Sequence, residues 1–144
     1  VVNGRDTGQP LQVGHAENNF YEVRQIGTGV VVRRTSQPHT ALDEIDRAFA
    51  AVYRKVAALP IDRMPLLVDL RDVVGRNDPE FERAVAPHRR RLVTSFGRAA
   101  ILVRSSIGTL QIKRLFSDEG IEIEVFTDPN VAFRWLGVTE DPDA

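Results

Sequence analysis

The sequence predicts an α/β fold, a single domain with a mixed, mostly parallel five-stranded sheet and four helices in the order β-β-α-β-α-β-α-β-α over residues 19–137. Two continuous apolar runs, at residues 65–70 and 99–103, have the composition of strands covered on both faces, which is the usual setting of parallel strands. Segments of helical periodicity alternate with them, so the strands are joined by crossovers rather than hairpins. One β-rich pair, residues 19–26 and 30–34, flanks Gly27-Thr28-Gly29 and reads as a hairpin that adds an antiparallel strand, with its first strand at or near an edge.

Element by element, residues 1–18 are rich in Gly, Asn, Gln and Pro without periodicity and read as a loose arm. Residues 40–59 form the clearest helix, because Leu42, Ile45, Phe49, Val52, Val56 and Leu59 recur at steps of three and four. Thr40 with Asp43 supplies its N-cap signal, and Pro60 ends it for want of an N–H. A second helix opens at Asp78-Pro79-Glu80 and runs towards Phe96, with a kink or break expected at Pro87. The third spans about residues 107–119 and stops at Gly120; the fourth opens at Asp128-Pro129 and stops at Gly137. Residues 121–125 (Ile-Glu-Ile-Glu-Val) alternate strictly, as a strand with one wet face would, and are expected towards an edge. Residues 138–144 are an acidic tail.

Composition narrows the function. A chain of 144 residues can bury a core without staples, and its formal net charge of -1 argues against a nucleic-acid binder, which normally shows a basic excess. The absence of Cys excludes disulfides, thiolate metal sites and a cysteine nucleophile, and fits a cytoplasmic protein. His15, His39 and His88 are too scattered for a His-rich metal site. No apolar run approaches the ~18 residues of a membrane span. No cofactor motif stands in a convincing context, and no catalytic residue is assigned.

In such a sheet the usable crevice lies beyond the carboxyl ends of the parallel strands. That edge should collect Asp69, Arg104, Ser105, Ser106 and Thr127 as a candidate ligand crevice. Asp69 interrupts an apolar run, and a carboxylate there needs partners. A strand-end ion pair with Arg71 or Arg104 is favoured over a catalytic or phospho-accepting role. Ser105 or Ser106 reads first as an N-cap. His88 falls on the stripe of Phe81, Val85, Leu92 and Phe96 and reads as a packed, hydrogen-bonded histidine. Charge is polarised: residues 76–114 hold 9 basic against 3 acidic residues, and residues 117–144 hold 1 against 8. That polarity suits docking to a protein partner or self-association. The expected docking surface is Arg71, Asp72, Arg76, Arg83, Arg89, Arg90 and Arg91.

The element order resembles that of SpoIIAA-like (STAS-related) domains. So do Leu66-Leu67-Val68-Asp69-Leu70-Arg71-Asp72, Ala100-Ile101-Leu102-Val103 before a helix, and Val125-Phe126-Thr127-Asp128 with Ala132-Phe133-Arg134-Trp135-Leu136. The resemblance implies a non-enzymatic regulatory domain that docks a protein partner through the loop and helix after the third predicted strand. In such regulators a Ser or Thr at that helix start is phosphorylated; the matching residues 73–78 contain neither. The alternative function is binding of a small or apolar ligand in the crevice. An open apolar cavity favours the ligand, a filled one the docking surface.

Overall fold

The computed structural model describes residues 9–10, 20–73 and 79–138. Its strands are β1 (Gln9–Pro10), β2 (Tyr21–Ile26), β3 (Gly29–Arg34), β4 (Pro65–Asp69), β5 (Arg98–Leu102) and β6 (Glu124–Phe126). Its α-helices are α1 (Leu42–Val56), α2 (Pro79–Ser95), α3 (Ser106–Asp118) and α4 (Pro129–Leu136). The sheet order is β1-β2-β3-β4-β5-β6, antiparallel from β1 to β3 and parallel from β3 to β6. The predicted α/β class, mostly parallel sheet and four helices are all present. The two-residue β1 was not anticipated; it pairs with Gln25 and Arg24 and displaces the hairpin's first strand from the outermost position.

Strand alternation sorts the side chains onto two faces. Tyr21, Val23, Val30, Val32, Leu66, Val68 and Ile101 join one core cluster with Ile45, Phe49 and Val52 of α1, Leu92 and Val93 of α2, and Phe116 of α3. Leu67, Ala100 and Leu102 point the other way and meet Ala132 and Leu136 of α4. Sequential strands stepping in one direction place their right-handed crossovers on a single side. That is why α1, α2 and α3 share a face and α4 is left to cover the reverse of β4 and β5. Both greasy strands are thereby enclosed, which explains their unbroken apolar sequence.

The local signals act mostly as expected. Ser105 caps α3 by accepting from the Gly108 N–H at 3.1 Å. Asp128 caps α4 by accepting from Asn130 N–H at 2.8 Å, and Gly137 ends α4 at φ 73, a left-handed backbone that glycine adopts without strain. At α1 the N-cap is Ala41, not Thr40; the Glu44 carboxylate reaches back and accepts from the N–H groups of Ala41 (3.0 Å) and Thr40 (2.6 Å). The N-cap expected at Asp78 lies outside the described residues. α2 runs as one helix through Pro87. Residues 121–123 alternate without entering the ladder; only Glu124–Phe126 pairs, with Ala100–Leu102, at the expected sheet edge. Ile121 and Ile123 still pack against the core, so the alternation reports packing rather than strand pairing.

Ile101 is fully buried on the central parallel strand. Ile101→Ala should therefore lower unfolding free energy by about 2–5 kcal/mol. Urea denaturation checks this, and a loss below 1 kcal/mol, which is about the cost of a surface change, contradicts the packing described.

Candidate functional site

The carboxyl ends of the parallel strands carry two different environments, one on each face of the sheet. On the α4 face, Arg33 and Asp69 are neighbours in the β3–β4 register. Asp69 is buried and accepts two hydrogen bonds from the Arg71 guanidinium, at 3.0 and 2.9 Å, and a third from the Arg71 backbone N–H at 3.0 Å. Arg33 bridges Glu22 (2.9 Å) and Asp72, and Asp72 also meets Arg104 at 3.4 Å. Asp69 is thus the ion-paired strand-end carboxylate, with Arg71 as its partner. These charges satisfy one another on a partly wet surface.

On the other face the same strand ends border a cavity of about 360 Å³. Phe49, Val68, Leu70, Phe81, Val85, Leu92, Ile112 and Leu115 supply its apolar walls, from α1, β4 and the residue after it, α2 and α3. Its polar lining includes Tyr21, Arg34, His39, Glu82 and Arg89. Asp69, Arg104, Ser105, Ser106 and Thr127 do not line it. The expected crevice is therefore at the expected end of the sheet but is built from other residues. Asp69 is turned to the opposite face, Ser105 is occupied as a helix cap, and Ser106 and Thr127 are exposed.

Arg34 enters the cavity because of strand parity. Val30 and Val32 are core residues, so the next position of the same parity on β3, Arg34, also faces α1–α3. Its Nη1 donates to the carbonyl oxygens of Phe20 (3.3 Å), Thr35 (2.7 Å) and Gln37 (2.8 Å). The guanidinium carbon lies 5.6 Å from the Phe20 and Tyr21 ring centroids, within cation–π range. Burial lowers the Arg34 pKa below the ordinary guanidinium value, opposed by Tyr21. Burial likewise pushes the Tyr21 phenol up to about 12, with Arg34 and Arg89 pulling the other way. Tyr21 is therefore a neutral phenol at any physiological pH.

Arg89 corrects the expected docking surface. It is only 9% exposed, because it lies on the Val85–Leu92 stripe of α2 and points inward. Its Nη2 pairs with Glu82 at 2.7 Å and Glu119 at 3.3 Å, and its guanidinium lies over the Phe116 ring at 5.3 Å. Its Nε and Glu119 Oε1 are buried with no hydrogen-bond partner among the described residues. Arg71 and Asp72 are held in the ion pairs above, Arg76 lies outside the described residues, and Arg83 and Arg90 are exposed. Arg91 is exposed and stacks over Tyr53 at 4.0 Å. His88 stacks on Phe49 with centroids 4.7 Å apart, and its Nε2 is 2.7 Å from Asp46 Oδ1, the packed histidine that the helical stripe implied.

Among the described residues no group of three or more His, Asp or Glu could hold a metal ion, and no helix is long and apolar enough to cross a membrane.

The Tyr21 environment sets an alkaline limit on stability. The unfolded phenol ionises near 10.0 and the folded one near about 12, so the stabilisation is complete below pH 10 and is lost as pH rises through that window. Over it wild type should lose about 2–3 kcal/mol that Tyr21→Phe does not lose. Urea titrations at stepped pH check this, and parallel declines in the two proteins contradict it. Comparisons with protein-family models, with curated proteins and with solved structures gave no match to this chain.

Proposed function

We propose that this chain is a non-enzymatic binding domain that holds a small, mainly apolar molecule between its sheet and the α1–α3 layer. The observation that supports this reading is the cavity itself. Close-packed interiors leave few voids larger than a water molecule. About 360 Å³ of largely apolar space at the carboxyl ends of parallel strands falls instead within the ~300–1,000 Å³ of small-molecule sites. Three helices and the sheet supply most of the walls, and the connection from β3 to α1 (Thr35, Ser36, Pro38 and His39) and Val73 complete the lining of a partly open space. The charged groups nearby are held in structural ion pairs or carbonyl contacts rather than arranged as a nucleophile with a base. That arrangement favours binding over catalysis.

A neutral, mainly apolar fluorescent probe small enough for this volume, 1-naphthylamine, should bind the purified protein with blue-shifted emission. The double substitution Val85→Phe with Ile112→Phe fills the space from two walls and should weaken probe binding about tenfold or more, equivalent to ~1.4 kcal/mol. Circular dichroism and urea denaturation confirm in parallel that the variant keeps its fold. An unresponsive probe, or unchanged binding in the filled variant, contradicts the reading.

A second reading, a regulatory domain of SpoIIAA-like type in the cytoplasm that contacts a protein partner or another copy, is favoured by the outer surface beside the cavity. Arg83 and Arg90 are exposed on α2, and Ile107 and Leu110 on α3 are 69% and 70% exposed. Exposed apolar residues and exposed charges of this kind suit a contact surface. If self-association uses this surface, Arg83→Glu with Arg90→Glu should abolish concentration-dependent sedimentation. Identical sedimentation of variant and wild type removes self-association through this surface.

A further inference from the structure

We infer that the occupant of the cavity carries a single carboxylate, held by Arg34 at the carboxyl end of β3, with its apolar body lying beneath α2. The inference rests on the cavity-binding reading and goes beyond it by naming the chemical class of ligand.

Two cations line the cavity, and the fold treats them differently. Arg89 is matched by Glu82 and Glu119, and Glu82 is the carboxylate that lines the same space. Arg34 has no carboxylate partner among the described residues; its acceptors are three backbone carbonyls and the neutral Tyr21 phenol. The three carbonyls share Nη1, and a guanidinium has five N–H donors, so donors remain for an incoming acceptor. A half-buried cation facing apolar walls gains most from an anion that brings its own charge into the cavity. Arg89 is already in contact with two carboxylates, so Arg34 is the guanidinium left to take an anionic head group, and a single guanidinium suits a monoanion better than a dianion such as a phosphate monoester.

The rest of the lining specifies the body of that ligand. Phe81, Val85 and Leu92 on α2, with Ile112 and Leu115 on α3, offer no hydrogen-bonding side chain. At about 30 Å³ per small heavy-atom group, the figure for liquid water, the space takes about a dozen non-hydrogen atoms. A carboxylate on an alkyl chain of medium length meets both conditions.

The test displaces 1-naphthylamine with three probes that share one chain and differ in head group: decanoate, 1-decanol and decylammonium. Decanoate should displace it from wild type at about tenfold lower concentration than 1-decanol, as one charge-assisted hydrogen-bonded head group is worth. Decylammonium should be the weakest of the three. Arg34→Gln should erase the difference between decanoate and 1-decanol, each measured against the affinity that this variant itself shows for the fluorescent probe, and Arg34→Lys should retain most of it. If Arg34→Gln does not fold, the wild-type ranking and Arg34→Lys decide. Equal displacement by decanoate and 1-decanol, a preference for decylammonium, or a preference that survives in Arg34→Gln overturns the head-group assignment and leaves the cavity reading standing. Failure of the fluorescent probe to bind wild type removes both.

Discussion

The parallel ladder between β4 and β5 determines the rest of the architecture. Leu66, Leu67, Val68, Ala100, Ile101 and Leu102 are all buried, so each strand presents apolar side chains to both faces and must be covered twice. One cover is the α1–α3 layer and the other is the single helix α4. Among the described residues, no β2 side chain joins the α4-side cluster, and Glu22 and Arg24 stand on that reverse side; on β3, Val31 packs against the cluster while Arg33 pairs with Glu22 and Asp72. At the far end of the sheet, Gly29 begins β3 where a Cβ would lie 2.7 Å from Val138 Cγ2 and 3.2 Å from the Pro65 carbonyl oxygen, so a glycine there allows the close approach of chain segments around the α4 side.

This sidedness turns one sheet edge into two chemical settings. Side-chain parity sends Arg33 and Asp69 to the α4 face, where solvent is near and charges pair at modest net gain. The same parity sends Arg34 and Val68 to the other face, where three helices leave a hollow. Charges on that side are few, and each is costly to desolvate. Arg89 meets this cost with two carboxylates, whereas Arg34 meets it with backbone carbonyls, the Tyr21 phenol and aromatic faces. The asymmetry between these two arginines is what gives the cavity a direction: a charged end near β3 and an apolar end under α2 and α3.

Much of this was legible before any coordinates. The two apolar strands, the hairpin, the α3 and α4 caps and the pairing of Asp69 with Arg71 follow from patterns that act over a few residues, and local physics is sufficient for them. Arg89 reads as docking surface with its neighbours Arg90 and Arg91 because the three are consecutive and alike in charge, although its spacing from Val85 and Leu92 puts it on the buried stripe. Arg34 carried a comparable signal, a charge continuing the parity of Val30 and Val32. Both are charges at apolar positions, which marks a buried polar site, but a charge run or a strand end masks it in a linear reading. The end of the sheet at which the cavity opens follows from the strand order, but its size and the residues that line it have no local signal. The cavity arises from how α2 and α3 sit over β4, a distance between elements far apart in the chain that no local pattern encodes. The α1 cap differs from the expected one because the Glu44 carboxylate accepts from the N–H groups of Thr40 and Ala41 and from the Thr40 hydroxyl, which leaves that hydroxyl outside the helix start and Ala41 as the N-cap.

The claim on which the functional account stands is that persistent apolar space exists between β4, α2 and α3 in the folded protein. The most direct measurement is a crystal structure of the ligand-free protein under xenon pressure, since xenon occupies dry apolar cavities and is not held at polar, hydrated ones. The expected result is xenon density in contact with Phe49, Val85 and Ile112. Side chains of α2 collapsed onto Val68 and Leu70, with no xenon between them, would contradict the account.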